Sequence, residues 1–215
     1  MSQNYLAETK EDLTRLRKIL CKVTRDDADT VRRRLAKRDE ARVLDIACGD
    51  CREAEVLTDF IAELKGRSNA AIKLTGIDVR AREIADAQRR YGGKKEFKDR
   101  PGTRECEFMT GDASKLDEHG EMGDDFDLVF MRHQNYWNGA KTWEKIYDQA
   151  LAKLGDDGRL IITSYFDKEH ELALEAIQRL GGELIQTEFN SETRELKTEG
   201  KSVDRHVAIF RRKDD

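Results

Sequence analysis

Three aspartates each follow a short apolar run, a placement from which carboxylates can bind a ligand. Asp45 stands shortly before Ala47 and Gly49, while Asp78 and Asp112 close the second and third of these runs. At the carboxyl ends of parallel strands, small residues and helix N-termini converge on ligands. Asp45 would attract an ammonium or sulfonium group, Asp78 could accept hydrogen bonds from both hydroxyls of a ribose, and Asp112 could accept one from an amine such as that of adenine. Each acid alone could instead be a turn or cap residue, but together they predict a cationic, adenosine-bearing ligand.

A second group of reactive side chains lies in residues 131–138, after the fourth apolar run. His133 titrates near neutral pH and could remove a proton from an oxygen or nitrogen acceptor. Tyr136 is the second candidate catalytic residue, and together with Trp137 it could stack on an aromatic acceptor or surround a methyl group. The alternative is that His133 caps a turn and the aromatic rings belong to the local core. His170, flanked by two glutamates, is expected on the surface.

Cys48 and Cys51 form a CxxC sequence between a predicted strand and a predicted helix, as in thioredoxin-like dithiol proteins. Such domains need a cis-proline facing the dithiol, and the one proline, Pro101, stands in a loop. A dithiol role would also leave Asp78 and Asp112 unexplained. No second pair of cysteines or histidines supports a zinc site, so we predict no metal.

The elements that must position these residues alternate along the chain. Seven β-branched or apolar runs predict strands at residues 42–47, 72–79, 105–109, 126–131, 158–164, 183–189 and 203–211, and amphipathic stretches predict helices at 52–64, 81–91, 142–154 and 168–180. This order is typical of an α/β fold with a doubly wound, mostly parallel, seven-stranded sheet. Only a loop separates the last two strands, so we expect a C-terminal antiparallel hairpin at the sheet edge.

Residues 1–41 precede the first strand and have a helical pattern. Apolar residues at positions 13–23 recur at three- and four-residue spacing, and a second helix is expected to begin at Asp26 or Asp27. This segment is either a cover packed on the main domain, residues 42–215, or a lid over a ligand.

Length and composition narrow the classes further. The chain has 215 residues, 38% hydrophobic and 39% charged, which fits one domain with a short addition. Its apolar runs are too short to cross a bilayer and no secretory leader opens it, so we expect a cytoplasmic protein with reduced thiols and no membrane partner. The net charge of −4 does not indicate a nucleic-acid binder. Residues 80–104 carry nine basic and four acidic side chains, a run that is either a solvated face or a guide for an anionic substrate.

The motif that begins at Asp45 resembles the first motif of class I S-adenosylmethionine-dependent methyltransferases of the Rossmann-like type. That motif has the form acid-x-Gly/Ala-x-Gly-x-Gly, and here Asp45, Ala47 and Gly49 match it while Cys51 replaces the last glycine. The resemblance extends over residues 42–211. It implies that the loop from Asp45 to Cys51 binds the methionine end of S-adenosylmethionine and that Asp78 binds the ribose.

The same resemblance implies roles for residues further along. Val79 would pack on the adenine, and Asp112 with Ala113 would recognise its amino edge. Met131 and Arg132 would border the reaction centre.

We therefore expect an enzyme that transfers a methyl group from S-adenosylmethionine to an oxygen or nitrogen atom. A short chain without an appended recognition domain favours a small-molecule acceptor, and the basic run at residues 80–104 keeps RNA as an alternative. A further alternative, from a different class, is a module that binds S-adenosylmethionine or a nucleotide without turnover.

Overall fold

Alternating helices and strands make up most of the chain. The computed structural model describes residues 3–66, 70–99 and 101–213. The α-helices are α1 (Gln3–Val23), α2 (Ala28–Ala36), α3 (Ala54–Lys65), α4 (Ala81–Tyr91), α5 (Ala140–Lys153) and α6 (Asp167–Arg179). The strands are β1 (Glu40–Ile46), β2 (Ala70–Asp78), β3 (Gly93–Glu96), β4 (Gly102–Thr110), β5 (Phe126–Arg132), β6 (Leu154–Ser164), β7 (Gly182–Phe189), β8 (Arg194–Glu195), β9 (Ser202–Val203) and β10 (His206–Arg212).

Eight strands form one sheet in the order β3-β4-β2-β1-β5-β6-β10-β7. The five from β4 to β6 run parallel, and β10 pairs antiparallel with both β6 and β7. The predicted doubly wound, mostly parallel sheet with its C-terminal antiparallel hairpin is therefore confirmed. Because the order turns back at β1, the carboxyl ends of β1 and β5 open a crevice where such sheets bind ligands.

The eighth strand, β3, was not predicted. It is a four-residue edge strand that pairs antiparallel with β4, and all of its residues are exposed. It has no apolar alternation for a sequence reading to detect. Lys94 and Lys95 lie on this edge, where charge discourages pairing with another chain.

The sheet is buried on both faces, which explains its β-branched and apolar strands. On β1, Val43 packs into a cluster with Leu16 and Phe60, beneath α1 and α3. Its neighbour Leu44 points into a second cluster with Tyr147, beneath α5 and α6. The two-residue period of the strand thus distributes side chains between two cores.

The N-terminal helices are fixed to the domain. The apolar side of α1 is buried in the core around Leu16 and Leu20, and the helix also contacts α3, β7 and β10. The second helix begins beside Asp27, one of the two predicted start residues. The Asp27 carboxylate does not cap the helix and instead accepts hydrogen bonds from Arg159 Nε and Nη2, at 2.5 and 3.0 Å.

His170 corrects one expectation. It is 4% exposed, on the inner side of α6, so the prediction of a surface residue is wrong. The flanking glutamates suggested a solvated position, but Glu169 is itself only 1% exposed and only Glu171 faces solvent. No described helix is long and apolar enough to cross a membrane.

Candidate functional site

The loop after β1 follows a backbone path that normally requires glycine. Ala47, Gly49 and Cys51 have φ angles of 56°, 57° and 45°, all in the left-handed region. For alanine and cysteine this conformation costs about 1–2 kcal/mol each. The loop is tied to β2 because Cys48 N donates to Ile77 O at 3.1 Å. Replacement of the last motif glycine by Cys51 therefore leaves the path of the loop intact.

Asp78, at the end of β2, lies directly against this loop. Its carboxylate accepts a hydrogen bond from Gly49 N at 2.9 Å and three from Arg80, through the backbone N and Nε, both at 2.9 Å, and through Nη2 at 3.2 Å. Burial raises the pKa of Asp78, but the hydrogen bonds from Arg80 and Gly49 outweigh it and hold the pKa below its usual range. The ionised carboxylate of Asp78 thus lies against the loop, at the point where the resemblance implies ribose binding.

Asp45 lies beneath the loop and is fully buried. Its Oδ2 accepts a hydrogen bond from Cys51 Sγ at 3.0 Å, while Oδ1 has no hydrogen-bond partner among the described residues. Burial, reinforced by the nearby carboxylate of Glu53, raises the pKa of Asp45 well above its usual value. An unpartnered buried oxygen is costly, so the site has unused capacity for a polar group.

A cleft of about 540 Å³ opens above these residues. Its floor is the loop from Ala47 to Glu53, and Arg80, Arg132 and His133 stand on its sides. Its outer wall comes from α1 and from the β8–β9 hairpin, together with Tyr165, which follows β6. The structure therefore brings the first-motif loop and the predicted base His133 to one cavity.

His133 has a constrained position directly after β5. Its φ is 60°, and its ring stacks on Tyr165 with centroids 3.8 Å apart. Its Nε2 lies 2.8 Å from Asp204 Oδ1 and 3.1 Å from Asp204 N. Burial lowers the pKa of His133, and the Asp204 carboxylate opposes this shift only in part. The imidazole is therefore neutral at physiological pH, which a general base requires.

Arg132 connects His133 to two buried acids. Its Nε and Nη2 donate to the Asp204 carboxylate at 3.0 and 2.6 Å, and its Nη1 lies 3.4 Å from Glu53 Oε2. Met131, in contrast, has a fully buried side chain that packs in the core beneath α5 and α6. Of these two predicted border residues, Arg132 lines the cleft.

The residues implied in adenine binding stand where β2 and β4 end side by side. Gly111 N donates to Asp78 O at 3.0 Å, which brings the two strand ends together. Val79 is 65% exposed although it is apolar, whereas Ala113 is buried. Asp112 caps a short helical turn, since its Oδ1 accepts from Ser114 N at 2.9 Å. The cap leaves Oδ2 of Asp112 for other partners.

Tyr136, the second predicted catalytic residue, does not line the cleft. Its hydroxyl donates to Glu144 Oε1 at 2.9 Å, and its ring stacks on Tyr147 with centroids 6.0 Å apart. Trp137 is in edge contact with Phe166. Tyr136 as a catalytic residue stays a prediction, and the geometry favours His133.

Sequence reasoning missed Glu53, Tyr165 and Asp204. Each is far from the others in the chain and belongs to no motif of its own. Glu53 lies just after the first-motif loop, which is the one signal that could have singled it out.

The two thiols of the CxxC sequence are poorly suited to dithiol chemistry. A hydrogen bond from Cys51 lowers the pKa of Cys48, but burial and nearby carboxylates raise it further, so the net shift is upward. Burial raises the pKa of Cys51 well above its usual value. Both therefore remain thiols at neutral pH, whereas dithiol chemistry begins with a thiolate nucleophile. Their sulfurs and a carboxylate oxygen of Asp45 lie within 4.8 Å of one another, and Cys51 Sγ donates a hydrogen bond to that carboxylate.

Comparison with known proteins relates the chain to methyltransferases. A family model described as a methyltransferase domain matches residues 37–208. The search of curated protein sequences found no match.

Solved structures of the same fold include three methyltransferases. A TehB-like S-adenosylmethionine-dependent methyltransferase from Corynebacterium glutamicum is 23% identical, with a TM-score of 0.53 over 85% of this chain and 88% of that one. An S-adenosylmethionine-dependent methyltransferase from Methanosarcina mazei is 15% identical, with a TM-score of 0.59 over 83% and 95%. The N-methyltransferase NodS from Bradyrhizobium japonicum is 15% identical, with a TM-score of 0.54 over 89% and 97%.

At these identities the solved structures establish the fold, and the family model establishes membership. The match covers most of the chain, including the whole first-motif loop and β5. The sequence-based identification, and with it S-adenosylmethionine as the cofactor, is confirmed: the chain belongs to the class I S-adenosylmethionine-dependent methyltransferases.

Proposed function

We propose that the chain transfers a methyl group to an oxygen or nitrogen atom of a small molecule, with His133 as the general base. The observation that carries this proposal is the shared cleft. Gly49, whose N–H donates to the Asp78 carboxylate, and the neutral imidazole of His133 both line one cavity. A binding loop aligns the methyl donor, and a base in the same cavity can take the proton of an acceptor that must lose one.

The residues of the loop fit the cofactor. Gly49 has no side chain, so a ligand that displaces the Arg80 guanidinium can approach its backbone closely. Asp78 next to it holds an ionised carboxylate that can accept hydrogen bonds from two hydroxyls. Asp45 lies beneath the loop and does not line the cleft, but its buried Oδ1, which lacks a partner among the described residues, leaves capacity there for a polar group. Val79 offers exposed apolar surface for a base ring. When bound, S-adenosylmethionine supplies an electrophilic methyl group on a sulfonium.

The cleft favours a small acceptor. Its volume of about 540 Å³ lies in the range typical of small-molecule sites. The basic run is a weak argument for RNA, because several of its members are already paired. Arg89 pairs with Asp86 and Arg104 with Glu55 at 2.6 Å, while Arg100 lies outside the described residues.

Calorimetric titration with S-adenosylmethionine and S-adenosylhomocysteine tests the binding half of this proposal. Asp78→Asn removes a charged acceptor, so we expect a loss of affinity of about 10- to 150-fold, as for a hydrogen bond to a charged group. Asp156→Asn is the matched control because Asp156 is fully exposed. Equal affinities for the two variants would contradict the assignment of Asp78.

Transfer of radiolabelled methyl tests the acceptor class. We expect labelled product with a metabolite extract and not with total RNA. Label in RNA would favour the nucleic-acid alternative, and binding without transfer to either pool would favour a non-catalytic module.

A further inference from the structure

Asp204 occupies an unusual position for a turn residue. It stands between β9 and β10, is 1% exposed and has a φ of 48°. Its carboxylate accepts hydrogen bonds from Arg132 Nη2 at 2.6 Å, from Arg132 Nε at 3.0 Å and from Thr163 Oγ1 at 2.9 Å. Contacts from the ends of β5 and β6 thus fix both of its oxygens.

The fourth contact of this carboxylate is the predicted base. Asp204 Oδ1 lies 2.8 Å from His133 Nε2, and the Tyr165 ring covers one face of the same imidazole. The ring is therefore held at one nitrogen and along one face. No described hydrogen bond involves its other nitrogen, Nδ1.

We infer that Asp204 is a positioning residue that keeps the His133 proton on Nε2, so that Nδ1 is the atom that accepts a proton from the methyl acceptor. This inference rests on the proposed function. In the transfer, the acceptor X–H bond breaks and its proton goes to Nδ1. An X–C bond forms as the S–C bond breaks, and the S–C electron pair stays with sulfur.

His133 Nε2 contacts both the backbone N–H and the carboxylate of Asp204, and these two contacts favour opposite tautomers of the imidazole. The stronger contact determines which tautomer is present. The N–H of Asp204, 3.1 Å away, would donate to an unprotonated Nε2. The carboxylate, 2.8 Å away, accepts from a protonated Nε2. A hydrogen bond to an ionised acceptor is about twice as strong as a neutral one. An unprotonated Nε2 would also place its lone pair against the negative oxygen.

Arg132 makes this choice stable by keeping Asp204 ionised. Burial raises the pKa of Asp204, but Arg132 and His133 outweigh it and hold that pKa far below its usual range. Three further charged or titratable groups lie near the imidazole. Tyr165 stacks on it, and burial raises the pKa of Tyr165; Glu53 pairs with Arg132, and Lys201 Nζ lies 4.2 Å from the Tyr165 ring centroid. A protonated Asp204 could donate to Nε2 and reverse the tautomer. The ion pair prevents this at neutral pH.

Nitrogen NMR of the full-length, histidine-labelled chain tests the inference directly. In the wild type, we expect His133 Nε2 to carry the proton and Nδ1 to resonate as an unprotonated nitrogen. A wild-type spectrum with the proton on Nδ1 would overturn the inference, whatever the variants do.

Asp204→Asn is the matching variant, since it retains shape and removes charge. We expect the Nε2–H preference to be lost and the pKa of His133 to fall, because the anion that opposes desolvation is gone. Asp156→Asn should leave both unchanged. A merely structural role for Asp204 would lower the melting temperature without changing the tautomer, and that result would refute the inference.

Cofactor binding separates this inference from the proposed function. Asp204→Asn should bind S-adenosylhomocysteine within about twofold of wild type, while methyl transfer falls by about 10²–10⁴-fold, the usual contribution of a general base. If wild type binds no cofactor, the proposed function fails. If it binds and transfers but Asp204→Asn is as fast as wild type, only the role of Asp204 fails.

Discussion

Arg80 determines what the Asp78 carboxylate contacts in the structure. Its guanidinium pairs with Asp78 through Nε at 2.9 Å and Nη2 at 3.2 Å. A Cβ added to Gly49 would lie 2.8 Å from Arg80 Nη2, so this side chain covers the open backbone of the glycine. A cationic ligand that uses Asp78 and Gly49 must therefore displace another cation.

Removal of that cation should strengthen binding. We expect Arg80→Ala to increase affinity for S-adenosylmethionine by up to about fivefold. The Asp78 side chain is 4% exposed, but the Arg80 side chain is 59% exposed, and an ion pair so open to solvent on one side contributes about 1 kcal/mol or less. Arg82→Ala, an exposed change on the same helix, is the control. Calorimetry measures both, and weaker binding by Arg80→Ala would show that Arg80 contacts the ligand instead of competing with it.

Site residues could be predicted from the sequence where a residue and its partners belong to one local motif. The loop with Asp45 and Gly49 and the strand-end acid Asp78 could be recognised because each follows an apolar run. Asp204 could not, since its partners Arg132 and His133 are brought to it only by the pairing of β10 with β6. Nothing in its neighbouring residues indicates burial.

At the scale of elements, β2 depends on a glycine in the centre of the sheet. Gly76 lies opposite Asp45 on β1 and Phe108 on β4. A Cβ at Gly76 would lie 2.7 Å from Phe108 Cδ1 and 3.0 Å from Cys48 Sγ. Since both side chains are packed between strand and helix, β2 and the first-motif loop cannot accept even one methyl group without a shift.

Gly76→Ala should therefore destabilise the chain although alanine usually favours a strand over glycine. We expect a loss of about 1–3 kcal/mol in the free energy of unfolding, the typical cost of overpacking. Gly120→Ala is the control, because a Cβ there meets no atom within 4 Å. Urea denaturation compares them, and equal midpoints would mean that Phe108 moves aside at no cost.

Element prediction succeeded for long periodic segments and failed for short ones. The helix predicted at residues 81–91 matches α4 residue for residue. The strands β3, β8 and β9 were missed, as they have four residues or fewer and no apolar alternation. These short strands are held by neighbouring structure, not by their own pattern.

In the whole molecule, the two sides of the cleft come from different parts of the chain. The first-motif loop forms the side that we assign to the cofactor. The outer wall joins the two ends of the chain, because Arg194 of β8 pairs with Asp12 of α1 at 2.6 Å. This wall lies outside the motifs, which explains why the sequence predicted the cofactor and left the acceptor open.

A buried imidazole links the stability of the whole fold to pH. His170 Nδ1 lies 3.1 Å from Ser164 Oγ and its Nε2 lies 2.8 Å from Thr187 Oγ1, between β6 and β7. Burial, with a smaller contribution from His206, lowers its pKa from 6.5 to about 3. Between these two values the unfolded chain binds a proton that the folded chain does not. Stability must therefore fall as the pH falls through this window.

His170→Gln should remove this part of the pH dependence. At pH 7.5 the variant should be less stable than wild type, but the difference should shrink on acidification below about pH 6.5, by at most about 1.4 kcal/mol per pH unit. Titrating groups away from this site act alike in both proteins, so the difference between the two stability curves isolates His170 together with its stacked neighbour His206. Urea unfolding at several pH values measures it, with His119→Gln as the control for loss of an imidazole from a turn. Parallel curves for wild type and His170→Gln would mean that His170 takes up a proton in the folded state as readily as in the unfolded chain, and that the α6–sheet interface opens to solvent in acid.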